Sequence, residues 1–215
     1  MNYRIKEFFN QKKIKNKYPK IIAVSKTFSI DQIMPLIEHG HIHFGENKIQ
    51  EAEEKWSSLK KKNNNVMLHM VGKLQTNKAK KAVKLFDYIH SLDNHKLAEK
   101  ISKYENELNK KIKIFIQVNL ADESNKSGIN KRDLKNFYHF CTKKLSLNII
   151  GLMCLPPLNE SSSDYFLSLK NLSSELNLRE LSMGMTHDYI DAINHGSTFL
   201  RVGTLIFGKR KTNQL

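Results

Sequence analysis

Short apolar runs alternate with longer amphipathic ones along this chain. The runs at residues 20–25, 41–45, 66–71, 87–91, 112–119, 147–154, 179–183 and 199–202 are rich in Ile, Val, Leu, Met and Phe. Continuous apolar character over such lengths predicts parallel strands buried on both faces. Between them the apolar positions recur at helical spacing. Residues 47–60 align Ile49, Ala52, Trp56 and Leu59 on one stripe. Residues 94–109 do the same with Leu97, Ile101, Tyr104 and Leu108, and residues 131–144 with Leu134, Phe137, Tyr138 and Cys141. A further helix is predicted over residues 3–16, ahead of the first strand.

Helix ends carry their own signals. Ser29 with Gln32 matches a capping box before a helix at 30–39, and Gly40 follows as its stop. Asp93 is the expected cap of the helix starting at 94. Thr186 is the expected cap of a helix at 187–195 that Gly196 ends. Pro35 conflicts with the first of these helices and is expected to kink it or shift its start.

Strands and helices in this alternation define the α/β class, and eight strands are the count of a closed (β/α)8 barrel of the TIM type. An open doubly wound sheet is the alternative. The chain has 215 residues, near the lower end for a barrel of this kind. A single domain over residues 1–215, with its core at about 18–210, is therefore expected.

Hydrophobic residues make up 40%, enough for a sizeable core. No apolar run approaches the ~20 residues that span a bilayer, and residues 1–17 lack the apolar stretch of a signal peptide. A cytoplasmic location is expected. There Cys141 and Cys154, which show no metal-ligand spacing, read as free thiols in the core. The net charge of +15 raises the question of nucleic acid. The charge is mostly lysine spread along the chain among many asparagines, and arginine occurs only at Arg4, Arg132, Arg179, Arg201 and Arg210. Specific readers of nucleic acid concentrate arginine and aromatic residues on one element, so nucleic acid is not the expected partner.

In a barrel of this kind the functional face lies at the C-terminal ends of the strands. The first strand ends in Ser25-Lys26-Thr27. A lysine rooted there against apolar surface can act as an amine nucleophile towards a carbonyl. The last two strands end in Ser182-Met183-Gly184-Met185-Thr186 and in Arg201-Val202-Gly203-Thr204. Glycine with hydroxyl groups at these two positions suits a phosphate, because backbone N–H groups can approach the anion closely. Arg201 lies two residues before Gly203 and shares its strand face. It calls for an acceptor such as a pyridine nitrogen or a carboxylate. Lysine, phosphate cradle and ring-nitrogen partner are the minimal set for pyridoxal 5′-phosphate, PLP.

The chain resembles the pyridoxal phosphate homeostasis proteins, small PLP binders with the fold of the alanine racemase N-terminal barrel. The resemblance runs from about Ile21 to Gly208. Five segments carry it: Ala23-Val24-Ser25-Lys26-Thr27; His43-Phe44-Gly45-Glu46-Asn47 through Gln50-Glu51; His69-Met70-Val71-Gly72-Lys73-Leu74-Gln75-Thr76-Asn77-Lys78; Lys126-Ser127-Gly128 with Gly151-Leu152-Met153; and Leu181-Ser182-Met183-Gly184-Met185 with residues 196–204. It implies PLP fold type III without the C-terminal β domain. It implies that Lys26 holds PLP as a Schiff base, that Asn47 lies near the cofactor, that Ser182, Gly203 and Thr204 take the phosphate, and that Arg201 faces the ring nitrogen. The implied role is intracellular PLP homeostasis with effects on amino-acid and keto-acid balance, with PLP-dependent apo-enzymes as partners and no dedicated catalytic activity. The chain departs from the family at Lys48, Leu68 and Thr186, where tyrosine, tryptophan and serine are common.

Two rival readings are weaker. A PLP-dependent racemase of low activity needs an acid/base on each face of the substrate, and alanine racemases supply the second from a β domain not expected here. His41-Ile42-His43 has the spacing of a metal-ligand pair, but no carboxylate set accompanies it or His69 and His90, and no metal is expected.

Overall fold

The computed structural model describes residues 18–121, 127–157 and 160–208. Eight parallel strands close into a barrel: β1 (Lys20–Val24), β2 (His43–Glu46), β3 (Met67–Met70), β4 (Tyr88–Leu92), β5 (Lys113–Asn119), β7 (Ile149–Met153), β8 (Glu180–Ser182) and β9 (Phe199–Val202). The ring runs β4-β3-β2-β1-β9-β8-β7-β5 and is closed by the β4–β5 pairing. The expected (β/α)8 architecture is thus the observed one, and the open sheet is excluded. One element escaped the sequence pattern. The two-residue strand β6 (Ile129–Asn130) pairs parallel with the end of β5, and two residues carry no period to read. The helix expected at 3–16 lies outside the described residues.

Alternation along each strand sorts side chains to the two faces of the barrel wall. Ile22, Tyr88, Phe115, Met153 and Phe199 pack together inside the barrel, joined by Val24, Met67, Val71 and Ile150. Ile21, Ala23, Leu68, Met70, Leu200 and Val202 point the other way, into the layer beneath the helices. On β9 this puts Phe199, Arg201 and then Gly203 in one file along the interior.

The helices are α1 (Ile30–Glu38), α2 (Ile49–Lys62), α3 (Ala79–Leu85), α4 (His95–Glu107), α5 (Leu134–His139), α6 (Ser162–Glu175), α7 (Tyr189–Asn194) and the single turn α8 (Thr204–Phe207). The stripe Ile49, Ala52, Trp56 and Leu59 is buried as its spacing implies. On α1, Gln32 Oε1 accepts from the Ser29 N–H at 3.0 Å. The helix continues through Pro35 to Glu38. Pro35 faces solvent, so the Asp31 carbonyl left without its helical donor can be hydrated. The stops at Gly40 and Gly196 have φ of +84° and +88°, as left-handed glycine caps do.

Two caps sit one or two residues later than expected. Asn94, not Asp93, caps α4, its Oδ1 accepting from Leu97 N–H at 2.8 Å. Asp188, not Thr186, precedes α7, and its carboxylate accepts from the Met185 N–H at 2.6 Å. Adjacent candidate caps look alike in sequence, and only the backbone trajectory separates them. The helical stripe at 131–144 is a composite: a 3₁₀ turn (Lys131–Asp133), then α5, then a π-helical turn (Phe140–Lys144).

Candidate functional site

The turn after β1 is built from below. Ser25 is buried and its hydroxyl donates to Glu46 Oε1 at 2.7 Å. Glu46 also accepts from Trp56 Nε1 at 3.0 Å and from Lys55 Nζ at 2.8 Å. Lys55 Nζ reaches the Ser25 carbonyl at 2.8 Å, the Phe28 carbonyl at 3.3 Å and Glu51 Oε1 at 2.8 Å. The Thr27 N–H closes the set on Glu51 Oε1. Burial tends to raise the Glu51 pKa, but the bonds from Lys55 and Thr27 outweigh it and hold the carboxyl below its usual range. Half-buried Lys26 sits in the middle of this clamped turn, and Thr27 beside it has φ +68°. A β-branched residue in the left-handed region stores roughly 1–3 kcal/mol of strain. The clamp of Glu46, Glu51 and Lys55 is what holds it there. In the sequence Glu46 and Glu51 stand out only within the family's segments, and Lys55 does not stand out. The one signal it carries is the Glu51/Lys55 spacing of four on α2.

On the neighbouring strand β9, paired in register with β1, stands Arg201, only 5% exposed. Nη1 donates to the Ser182 carbonyl at 2.7 Å and to Ser182 Oγ at 2.8 Å, and Nη2 donates to the Cys154 carbonyl at 2.9 Å. Burial lowers its pKa from the usual arginine value. Burial also pushes the Cys154 thiol up to about 12, so it stays protonated beside the guanidinium. Both cysteines are free and buried.

A cavity of about 700 Å³ opens at the C-terminal ends of the strands, lined in part by Lys26, Asn47, Arg201, Gly203 and Thr204. Five of the six predicted site residues therefore share one wall system. Ser182 does not reach it: its side chain is fully buried beneath Arg201 and is spent on Arg201 and His90. The structure places its side chain behind the arginine and away from the cavity wall where the phosphate was expected. Sequence reading missed the rest of the lining, including Phe28, Val71, Leu155 and His187.

The cavity suits an anionic aromatic ligand. Its charged lining residues, Lys26 and Arg201, are both cations, and no carboxylate lines it among the described residues. Asn47 Oδ1 is buried without a hydrogen-bond partner, an acceptor waiting for a donor. Asn47 is set by a close backbone approach, since a Cβ on Gly72 would fall 2.4 Å from the Asn47 carbonyl oxygen. Amine, acceptor, guanidinium and a glycine-hydroxyl corner fit aldehyde, phenol, ring nitrogen and phosphate of PLP.

Fold and site together define the class of alanine racemase N-terminal-type barrels, and the alanine racemase N-terminal domain family matches residues 8–211. Within that class the chain belongs to the pyridoxal phosphate homeostasis protein family. It is 40% identical over 200 residues to the member from Synechocystis sp., covering 89% of this chain and 91% of that protein. It is 36% identical over 201 residues to the member from Aquifex aeolicus, covering 89% and 87%. The structure of PipY of Synechococcus elongatus with PLP bound superposes with a TM-score of 0.83 at 34% identity, over 95% of this chain and 100% of that one. Alanine racemase of Clostridium difficile shares the fold alone, with a TM-score of 0.71 at 12% identity over 98% of this chain and 58% of that one.

Proposed function

We propose that this chain binds PLP at the upper mouth of its barrel and serves PLP homeostasis, holding the cofactor and passing it to PLP-dependent apo-enzymes in the cytoplasm. The observation that carries the reading is the single cavity joining Lys26 to Arg201 and to the Gly203-Thr204 corner. The cofactor supplies an aldehyde and an electron-withdrawing ring. Lys26 Nζ is the covalent anchor, forming the Schiff base with loss of water. Asn47 Oδ1 accepts from the phenol, Gly203 and Thr204 hold the phosphate, and Arg201 donates to the ring nitrogen. Ser182 contributes from behind, through Arg201.

The assignment has a chemical consequence. Arginine donates without readily giving up its proton, so the ring nitrogen stays unprotonated and is a poorer electron sink. That suits a carrier more than a catalyst, and it links the protein to amino-acid and keto-acid balance through the enzymes it supplies. All these residues lie on one barrel, so we treat the chain as a single PLP-binding domain. No helix among the described residues is long and apolar enough to cross a membrane.

Two assays test the reading. The protein, dialysed and then incubated with PLP, should gain visible absorbance and activate an apo-enzyme added in excess. With L-alanine in heavy water it should show slow exchange at most. Racemisation at a turnover on the order of 10 s⁻¹ would make it an enzyme instead.

A further inference from the structure

Behind the cavity a hydrogen-bonded chain crosses the barrel interior. His43 Nδ1 on β2 lies 2.9 Å from His69 Nε2 on β3. His69 Nδ1 lies 2.9 Å from His90 Nε2 on β4. His90 Nδ1 lies 2.8 Å from Ser182 Oγ on β8, which accepts from Arg201 Nη1 on β9. His69, His90 and Ser182 are fully buried, and His43 is the half-buried end. The rings are fixed by stacking, His69 on Tyr88 with centroids 4.2 Å apart and His90 on Phe115 at 4.3 Å.

Counting protons gives the chain a direction. Arg201 can only donate, so Ser182 Oγ accepts from it. The single Ser182 proton then has one partner, His90 Nδ1. If His90 donated instead, the Ser182 O–H would be buried with no acceptor. Ser182 therefore donates to His90 Nδ1, and His90 carries its proton on Nε2. Nε2–H of His90 donates to His69 Nδ1, and Nε2–H of His69 donates to His43 Nδ1. Each lone pair faces towards the guanidinium and each hydrogen away from it, the arrangement a buried cation favours. Burial keeps His69 and His90 neutral, as this pattern requires.

The chain also bears on the cavity. A guanidinium has five N–H donors. Two on Nη1 are taken by Ser182 and one on Nη2 by Cys154. That leaves the second Nη2 hydrogen and Nε–H for a ligand.

We propose that His43, His69 and His90 act through Ser182 as positioning residues for Arg201, a one-way chain of Nε2–H tautomers that aims the remaining guanidinium donors at the cofactor ring nitrogen. This rests on the PLP reading above, so its test has two parts. Long-range 1H–15N correlation spectra of the ligand-free, histidine-labelled protein should show His69 and His90 as neutral Nε2–H rings. Nδ1–H or protonated rings there would overturn the direction, whatever the protein binds. In the second part, PLP affinity is compared with that of the PLP analogue carrying carbon in place of the ring nitrogen. His69→Phe should weaken PLP about tenfold, one hydrogen bond's worth, and change the analogue less than twofold, while His69→Gln, which can accept and donate, should recover most of the loss. Equal losses for both ligands, or an unchanged PLP affinity, would reduce the chain to core packing. Wild-type protein that binds neither ligand would sink the PLP reading and the positioning role with it, leaving the tautomer spectrum to decide the chain alone.

Discussion

Lys55 and Glu46 form an ion pair of 2.8 Å with the carboxylate wholly buried, directly beneath the turn that carries Lys26. Removing the cation leaves an uncompensated buried charge, which costs about 3–5 kcal/mol. Lys55→Met should lower the urea midpoint accordingly and weaken PLP, because the Ser25 and Phe28 carbonyls lose their donor. A variant as stable as the parent would show that the pair does not hold the turn.

Thr27 adopts φ +68° with its side chain exposed. Thr27→Gly keeps the N–H bond to Glu51 and removes the left-handed strain, at some cost in unfolded-chain entropy. A net gain of about 0.5–1 kcal/mol is expected in urea denaturation. Destabilisation would mean that the threonine side chain supports the turn in another way.

The two hydroxyls that the sequence suggests for the phosphate should behave differently. A hydrogen bond to a charged group is worth about 1.5–3 kcal/mol. Thr204→Ala should cost PLP that much and leave pyridoxal, which has no phosphate, nearly unchanged. Ser182→Ala should weaken both ligands alike, because Ser182 works through Arg201. Titrations of the two variants with the two ligands separate these patterns, and a phosphate-selective loss in Ser182→Ala would return that residue to the phosphate.

Much of this was legible in the chain. Runs such as Ile21-Ile22-Ala23-Val24 read as buried strands, and the count of eight favoured the barrel over an open sheet. Strand ends then placed Lys26, Asn47, Arg201, Gly203 and Thr204 on one face, because parallel strands put all their C-terminal ends together. Contacts between distant strands were not legible. His43, His69 and His90 were weighed only as metal ligands, and their registry into one chain across β2, β3 and β4, continued over the barrel to Ser182 on β8, appears only in the folded backbone. Ser182 read as a phosphate ligand because the pattern shows which strand end a residue occupies, not how deep its side chain lies. The Lys55 clamp was hidden for a related reason: a lysine on an amphipathic helix reads as solvated unless a buried carboxylate lies under it.

The histidines also set the acid side of the stability profile. Burial, followed by the positive charges of His41, Lys20 and Lys113, lowers the His43 pKa to about 4, against the opposing pull of Asp87. His41, His69 and His90 are lowered too, each chiefly by burial. Between pH 6.5 and about 4 the unfolded chain thus binds protons that the folded chain refuses. Stability is then full above pH 6.5 and falls as the pH drops through that window. Thermal melts across that range should show the decline, and His43→Gln should make it shallower. A melting temperature flat down to pH 4.5 would mean that the histidines protonate freely in the folded state.

Covalent anchoring at Lys26 is tested most directly by borohydride reduction of the PLP-loaded protein, followed by digestion and peptide mass spectrometry. The reduced pyridoxyl group should appear on the peptide that carries Lys26, and Lys26→Ala should abolish both this adduct and the visible absorbance. An adduct confined to another lysine, or a protein that stays colourless after incubation with PLP, would contradict the assignment.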